Sequence, residues 1–157
     1  MPVIALRLIE DGDLDALFDQ MRDPEAVRMA AFTTENPDDR RAFDAHMARV
    51  RNSPGITMRA ITCDGQLAGT IASFPSGDET ELTYWIDRPA WGRGIASQAL
   101  ELLLRLVPDR PMHARAASDN IASLRVLQKA GFRVVGTENS YAEARNREIE
   151  ETILLLE

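Results

Sequence analysis

Asp87-Arg88-Pro89-Ala90-Trp91-Gly92-Arg93-Gly94-Ile95-Ala96-Ser97 joins two stretches of different periodicity. Before it, residues 79–86 are β-branched and aromatic, a strand composition; after it, residues 95–107 repeat apolar side chains at helical spacing. The stretch therefore reads as strand, glycine turn and helix start. Gly92 and Gly94 carry no β-carbon to hold an anion off the backbone. The amides that follow lie at a helix N-terminus, where unpaired N–H groups and the helix dipole attract negative charge. The segment is either a phosphate cradle or a tight turn that needs positive φ. No lysine-serine or lysine-threonine pair follows, as in a nucleotide P-loop, and the third glycine and downstream acid of a dinucleotide site are missing.

A second stretch narrows the choice. Asp119-Asn120-Ile121-Ala122-Ser123-Leu124-Arg125-Val126-Leu127-Gln128-Lys129-Ala130-Gly131-Phe132 reads as a capped helix closed by a glycine, then a strand. Together the two stretches resemble the GNAT superfamily of acyl-CoA-dependent N-acetyltransferases. The first is similar to its pyrophosphate loop, Q/R-x-x-G-x-G/A, and the second to its N-x-x-S-x-x-V-L-x-K-x-G-F segment. Tyr84-Trp85-Ile86 and the wording from Pro89 to Ser97 resemble the RimJ/RimL-type branch, whose acceptors include protein N-termini. Leu6-Arg7-Leu8 and Asp13 echo its opening, so the likeness runs through nearly the whole chain.

Size and composition set the bounds. The 157 residues suit a single domain, 1–157, with one well-formed core, and 45% hydrophobic with 27% charged residues is ordinary for a soluble globular chain. No apolar run approaches the ~20 residues that span a bilayer, and no basic, then hydrophobic, leader opens the sequence, so a cytoplasmic protein with no membrane partner is expected. A net charge of −7 argues against sequence-independent nucleic-acid binding. The one cysteine, Cys63, has no neighbouring base to make it a nucleophile and reads as a strand residue.

In order, residues 3–8 form a strand and residues 14–21 a helix. Asp23-Pro24 starts a short helical piece to Ala30, and Asn36-Pro37 another, with Phe43, His46, Met47 and Val50 on one side. His46 has no second ligand at helical spacing and reads as a partly solvated histidine. Residues 56–63 and 66–74 are strands joined by the hairpin signal Asp64-Gly65, residues 75–78 turn, and residues 79–86 form the central strand. Residues 112–116 are the next strand, 132–138 another, 139–147 irregular and 148–155 the last. A meander followed by strand-helix-strand-helix-strand implies a mixed α/β sheet with helices packed on it. The resemblance sharpens this to about six or seven mostly antiparallel strands, helices on both faces and a splayed parallel pair in the middle. It also makes the helical insertion between the first two strands a wall of the acceptor site.

In the resemblance, the pantetheine arm of acetyl-CoA inserts between the strands of residues 81–86 and 112–116, and the pyrophosphate rests on the amides of Gly92 to Ser97. It thus implies a cofactor surface of Tyr84, Trp85, Ile86, Arg88, Trp91, Gly92, Arg93, Gly94, Ile95, Ala96, Ser97, Asn120 and Ser123, and no metal. The family's leading Gln/Arg falls on Pro89, which removes an amide donor; Arg88 and Arg93 either compensate with charge or are solvated loop arginines. Asn120 either bonds the pantetheine or caps its helix.

Acetyl transfer needs a free amine, a proton acceptor and a donor to the leaving thiolate. Many relatives use a tyrosine as that donor, and its position here is Leu127. In the resemblance Ser123 matches the serine of the RimJ/RimL-type branch and is the best substitute, unless it is only a small packed residue. The resemblance likewise makes Glu81 the leading base, at the start of the central strand where the family often has a water-relay carboxylate, against a reading as a solvated strand edge. Glu150 and Glu151 come second, and strand alternation lets only one of them face inward. His113 has the chemistry for a base but reads as packing. A primary-amine acceptor follows, a peptide N-terminus or a small amine, on a monomer or homodimer; a non-catalytic acyl-CoA-binding module is the alternative.

Overall fold

The structure is a computed structural model that describes residues 1–157. In chain order it contains β1 (Ile4–Arg7), α1 (Leu14–Met21), α2 (Pro24–Ala30), α3 (Arg40–Arg51), β2 (Thr57–Cys63), β3 (Gln66–Ser76), β4 (Glu79–Ile86), α4 (Ile95–Leu106), β5 (Met112–Ala117), α5 (Ile121–Lys129), β6 (Arg133–Ala142) and β7 (Arg147–Leu156). The strands make one sheet in the order β1-β2-β3-β4-β5-β7-β6, antiparallel except for β4 against β5. The mixed sheet, its strand number and its central parallel pair agree with the sequence reading. No helix is long and apolar enough to cross a membrane.

Local chemistry explains most of the elements. Asp64 and Gly65 both take left-handed φ, 51° and 83°, as the tight β2–β3 hairpin requires. Alternation on β2 sends Ala60 beneath α1 and α3, with Leu17 and Met47, while Ile61 joins the core on the other face. That larger core gathers Ile95, Ala99, Leu100 and Leu103, one stripe of α4, with Leu82 and Ile86 of β4, Ala114 of β5, Leu154 of β7 and Leu127 of α5.

The β4–β5 pairing positions the site. It covers only Thr80↔Met112, Glu81↔His113 and Leu82↔Ala114, and beyond these the two strands part. Alternation along β4 puts Leu82, Tyr84 and Ile86 on the α4/α5 face, and Glu81, Thr83 and Trp85 on the α1/α2 face. The indole N–H of Trp85 donates to the Gln20 carbonyl at 3.1 Å on that second face.

Three local expectations are corrected. The third helix starts at Arg40, not at Asn36-Pro37, because the Asp39 carboxylate accepts the Ala42 N–H at 3.0 Å as its cap. Asn36 instead holds a turn, its side-chain oxygen accepting the Asp38 N–H at 3.0 Å. β3 runs on through Pro75 to Ser76, paired with β4, leaving Gly77-Asp78 as the turn. Residues 139–147 are mostly strand: β6 continues to Ala142 and pairs with β7, with a short turn at Glu143–Arg145. β6 is a solvated edge strand whose exposed Glu138 and Asn139 break the alternation that marks half-buried strands, so only its pairing reveals the continuation beyond Glu138.

Candidate active site

Where β4 and β5 separate, a cleft of about 480 Å³ runs through the sheet. Tyr84 and Ile86 line it from the α4/α5 face, with Asn120 and Ser123 of α5; Trp85 and Ala26, Met29 and Ala30 of α2 line it from the other. Trp91, Gly92, Gly94, Ile95, Ala96 and Ser97 close one end. Gly92 and Gly94 have φ of 74° and 75°, the left-handed region in which a side chain is strained. Gly94 occupies the N-cap of α4 with no side-chain cap, so the first-turn amides are left facing an open end. Trp91 folds back over the loop, its indole N–H donating to the Ile86 carbonyl at 2.9 Å.

Arg88 and Arg93 do not line this cleft. Arg88 pairs with Asp23 at 2.9 Å, tying the loop to the N-cap of α2, and a guanidinium nitrogen of Arg93 lies 3.8 Å from the sulfur of Cys63. Pro89 sits in the turn Arg88–Ala90, outside the lining.

Asn120 caps α5, its side-chain oxygen accepting the Ser123 N–H at 3.3 Å, while the residue also lines the cleft. One atom serves the cap and the side-chain NH2 stays free, so the two readings of Asn120 are compatible. The Tyr84 hydroxyl lies 2.7 Å from Ser123 Oγ, joining residues on β4 and α5. Burial pushes the Tyr84 phenol above its ordinary value, and the bond to Ser123 only partly opposes this. Leu127 is 2% exposed and packs in the core, outside the cleft lining.

Glu81 lies on the opposite face of the sheet, one pair below the point where the strands part. Burial pushes its carboxyl above the usual carboxylate range, opposed by Arg115, whose Nε is 3.8 Å away. Arg115 also holds Glu138 at 2.6 Å and Glu151 at 3.2 Å, so one guanidinium serves three carboxylates from β4, β6 and β7. Of the last-strand acids, Glu151 is buried and faces this cluster, and Glu150 is exposed. His113 Nδ1 comes within 3.1 Å of Glu79 at an angle that makes no hydrogen bond. His46 lies away from the cleft on α3, 3.0 Å from an Arg49 nitrogen.

The tip of the β6–β7 hairpin packs against the C-terminal end of α2. Arg145 forms a fork on Asp119 at 2.8 and 3.1 Å and donates from Nε to the Arg28 carbonyl at 2.7 Å, while the Ala144 N–H reaches the Ala31 carbonyl at 3.1 Å. The Arg145 side chain is only 10% exposed. Arg145→Ala is expected to cost about 2 kcal/mol, because a buried guanidinium gives up charge-assisted bonds whose partner Asp119 is largely solvated. A melting-temperature fall of about 5 °C and a weaker calorimetric affinity for CoA would register it.

Several of these features escape sequence reading. Ala26, Met29 and Ala30 follow i, i+3, i+4 spacing, a signal that α2 has an apolar face but not what it faces. The Arg115 cluster left no signal, since it needs the order β4-β5-β7-β6 to exist.

Comparison with known proteins agrees with this architecture. The ribosomal-protein-alanine N-acetyltransferase from Brucella melitensis superposes with a TM-score of 0.82 at 22% identity, covering 97% of this chain and 98% of that one. RimJ of Mycobacterium smegmatis, solved with a CoA disulfide, gives 0.82 at 19% identity over 99% and 85%. A putative phosphinothricin N-acetyltransferase gives 0.75 at 22% over 99% and 98%. At these identities the likeness is one of fold. No curated protein sequence matches the chain. Residues 4–133 match the acetyltransferase (GNAT) domain, a span that takes in the parted strands, the glycine loop and α5, and the chain therefore belongs to that family of acetyl-CoA-dependent N-acetyltransferases.

Proposed function

We propose that this enzyme transfers the acetyl group of acetyl-CoA to the α-amine of a protein or peptide N-terminus, or to a small amine of lowered pKa, by direct attack. The observation that carries the reading is the cleft through the sheet, lined by the glycine loop and α5 on one side and by α2 on the other. A donor and an acceptor can enter it from different faces. Ser123, Tyr84 and Asn120 stand on the CoA side, and Glu81 on the side from which an amine would approach.

In this reading the amine nitrogen bonds to the thioester carbonyl carbon and Glu81 accepts its proton, directly or through water. The carbon–sulfur bond then breaks with its electron pair on sulfur, where the Ser123 hydroxyl donates a hydrogen bond. The amides at the start of α4 hold the pyrophosphate.

Energetics favour a weakly basic acceptor. An α-amine of pKa ~8 costs about 1.4 kcal/mol to deprotonate at pH 7, and a lysine amine of pKa ~10.4 about 4.6 kcal/mol. A half-buried glutamate with a guanidinium nearby is a modest base, suited to the smaller cost. The names of two structural neighbours, one for a ribosomal-protein alanine and one for phosphinothricin, fit both kinds of acceptor.

The test is CoA release from acetyl-CoA against peptides with free N-termini, polyamines and aminoglycosides. Turnover is expected with peptide α-amines or small amines of low pKa. Faster reaction at internal lysines would overturn the acceptor assignment, and CoA binding without turnover on any amine would point to an acyl-CoA-binding module.

A further inference from the structure

The contact between Tyr84 and Ser123 links two side chains 39 residues apart, at 2.7 Å, on the wall of the cleft. Two hydroxyls at this distance share one hydrogen and leave the other free. The phenol is the more acidic of the two and therefore the better donor. Its ring packs against the main core, which fixes its direction, and its buried environment keeps it protonated at neutral pH. With Tyr84 donating, Ser123 Oγ is the acceptor, and the serine's own hydrogen is the free one. Ser123 Oγ has no other protein partner, and α5 contains no tyrosine to offer the site.

We propose that Tyr84 is a positioning residue for the transfer reaction: its hydroxyl fixes the rotamer of Ser123 so that the serine O–H points into the cleft, toward the departing sulfur. This rests on the reading of Ser123 given above. The amine's proton goes to Glu81. The sulfur leaves as thiolate with the electron pair of the broken carbon–sulfur bond, accepts a hydrogen bond from Ser123, and takes its proton from water afterwards. Tyr84 keeps its hydrogen throughout. Without the phenol hydroxyl, Ser123 is free to rotate among its staggered wells, and most of that population points elsewhere.

The experiment is a double-substitution cycle on CoA release, with kcat and KM for acetyl-CoA measured separately. Ser123→Ala is expected to lower kcat about 100-fold, as loss of one donor at a developing charge does. Tyr84→Phe is expected to lower it about 10-fold, the cost of leaving that donor unoriented, with KM within about 3-fold. In the Ser123→Ala background, Tyr84→Phe should change kcat by less than about 2-fold, since the group it orients is gone. A merely structural tyrosine would cost the same factor in both backgrounds, and that result overturns the proposal. So does a Tyr84→Phe enzyme with wild-type kcat, while a Ser123→Ala enzyme still impaired leaves the reading of Ser123 intact. If Ser123→Ala is wild-type, the serine assignment falls and the proposal with it. Absence of turnover by the wild-type protein overturns both the proposed function and this proposal.

A second measurement does not depend on Tyr84→Phe folding. The chain has only two tyrosines, so biosynthetic fluorotyrosine gives two ¹⁹F resonances, and Tyr141→Phe assigns them. The Tyr84 resonance is expected to move in Ser123→Ala, and an unchanged resonance would show that the hydroxyl contact is absent and overturn the proposal.

Discussion

Glu81→Gln is expected to lower kcat/KM by about 10²- to 10³-fold, within the range that a positioned general base supplies, while CoA affinity stays near wild type. Glutamine keeps the shape and the reach toward Arg115 but cannot take a proton. The pH profile carries the sharper signature. In the proposed role Glu81 works ionised, and burial raises its carboxyl, so activity should fall with decreasing pH at a value above the ~4.3 of an ordinary glutamate. The stability sign runs the other way. A carboxyl raised in the folded state stabilises the protein when protonated, and that contribution is lost as pH rises through the folded value. At neutral pH, Glu81→Gln is therefore expected to keep or raise the melting temperature. Glu151→Gln makes the contrasting case: the Glu151 charge raises Glu81, and its removal also leaves Arg115 with one fewer competitor. The acid limb of activity should move to lower pH, and stability should fall with the loss of a buried ion pair. An acid limb that stays in place in Glu151→Gln would remove Glu81 from the role of base.

The largest stability effect is expected at Gly69, which lies on β3 opposite Ile86. A Cβ built there would stand 2.0 Å from the Trp85 carbonyl oxygen, 3.0 Å from its carbon and 3.1 Å from Ile86 Cα. All three are backbone atoms, so no rotamer relieves the clash. Gly69→Ala must push β4 away from β3, and β4 is already unsupported by β5 at this height. The expected cost is about 3 kcal/mol or more, the upper part of the range for overpacking, and a melting temperature lower by about 10 °C. Trp85 and Ile86 line the cleft, so CoA affinity should fall as well. A variant with wild-type melting temperature and CoA affinity would mean that the two strands separate at little cost.

The limits of sequence reading follow from the range of each interaction. The glycine loop, β4 and α5 are built from local signals: β-branched residues, a left-handed turn, a cap and a closing glycine. Their bounds were therefore legible. The first part of β6 is legible as a strand over 132–138, and its continuation from Asn139 to Ala142 is not, because an edge strand with Glu138 and Asn139 both exposed has no local signal beyond its partner. At the site, the residues of the loop are neighbours in sequence and were found together. Arg115 with Glu81, Glu138 and Glu151, Arg145 with Asp119, and Tyr84 with Ser123 meet only after the sheet has ordered its strands. The partners of the positive charge near the loop are out of reach for a related reason. Arg88 and Arg93 are close to the glycines in sequence, and the groups beside their side chains, Asp23 and Cys63, are brought in by other elements.

The early end of β4–β5 pairing bears on how such a protein can change over time. Beyond Leu82 and Ala114, the facing strand edges present main-chain N–H and C=O groups that do not pair with each other. In the proposed reading the donor is recognised through these groups, which is indifferent to side-chain identity, so positions such as the exposed Thr83 can accept replacement without altering what the edges offer. Gly69 cannot, because the Trp85 backbone occupies the space of a side chain there, and neither can Gly92 and Gly94, whose left-handed φ strains one. A lineage built on this plan can therefore drift far in sequence on the donor side and still hold the same donor, while the helices over the other face are remodelled for new acceptors.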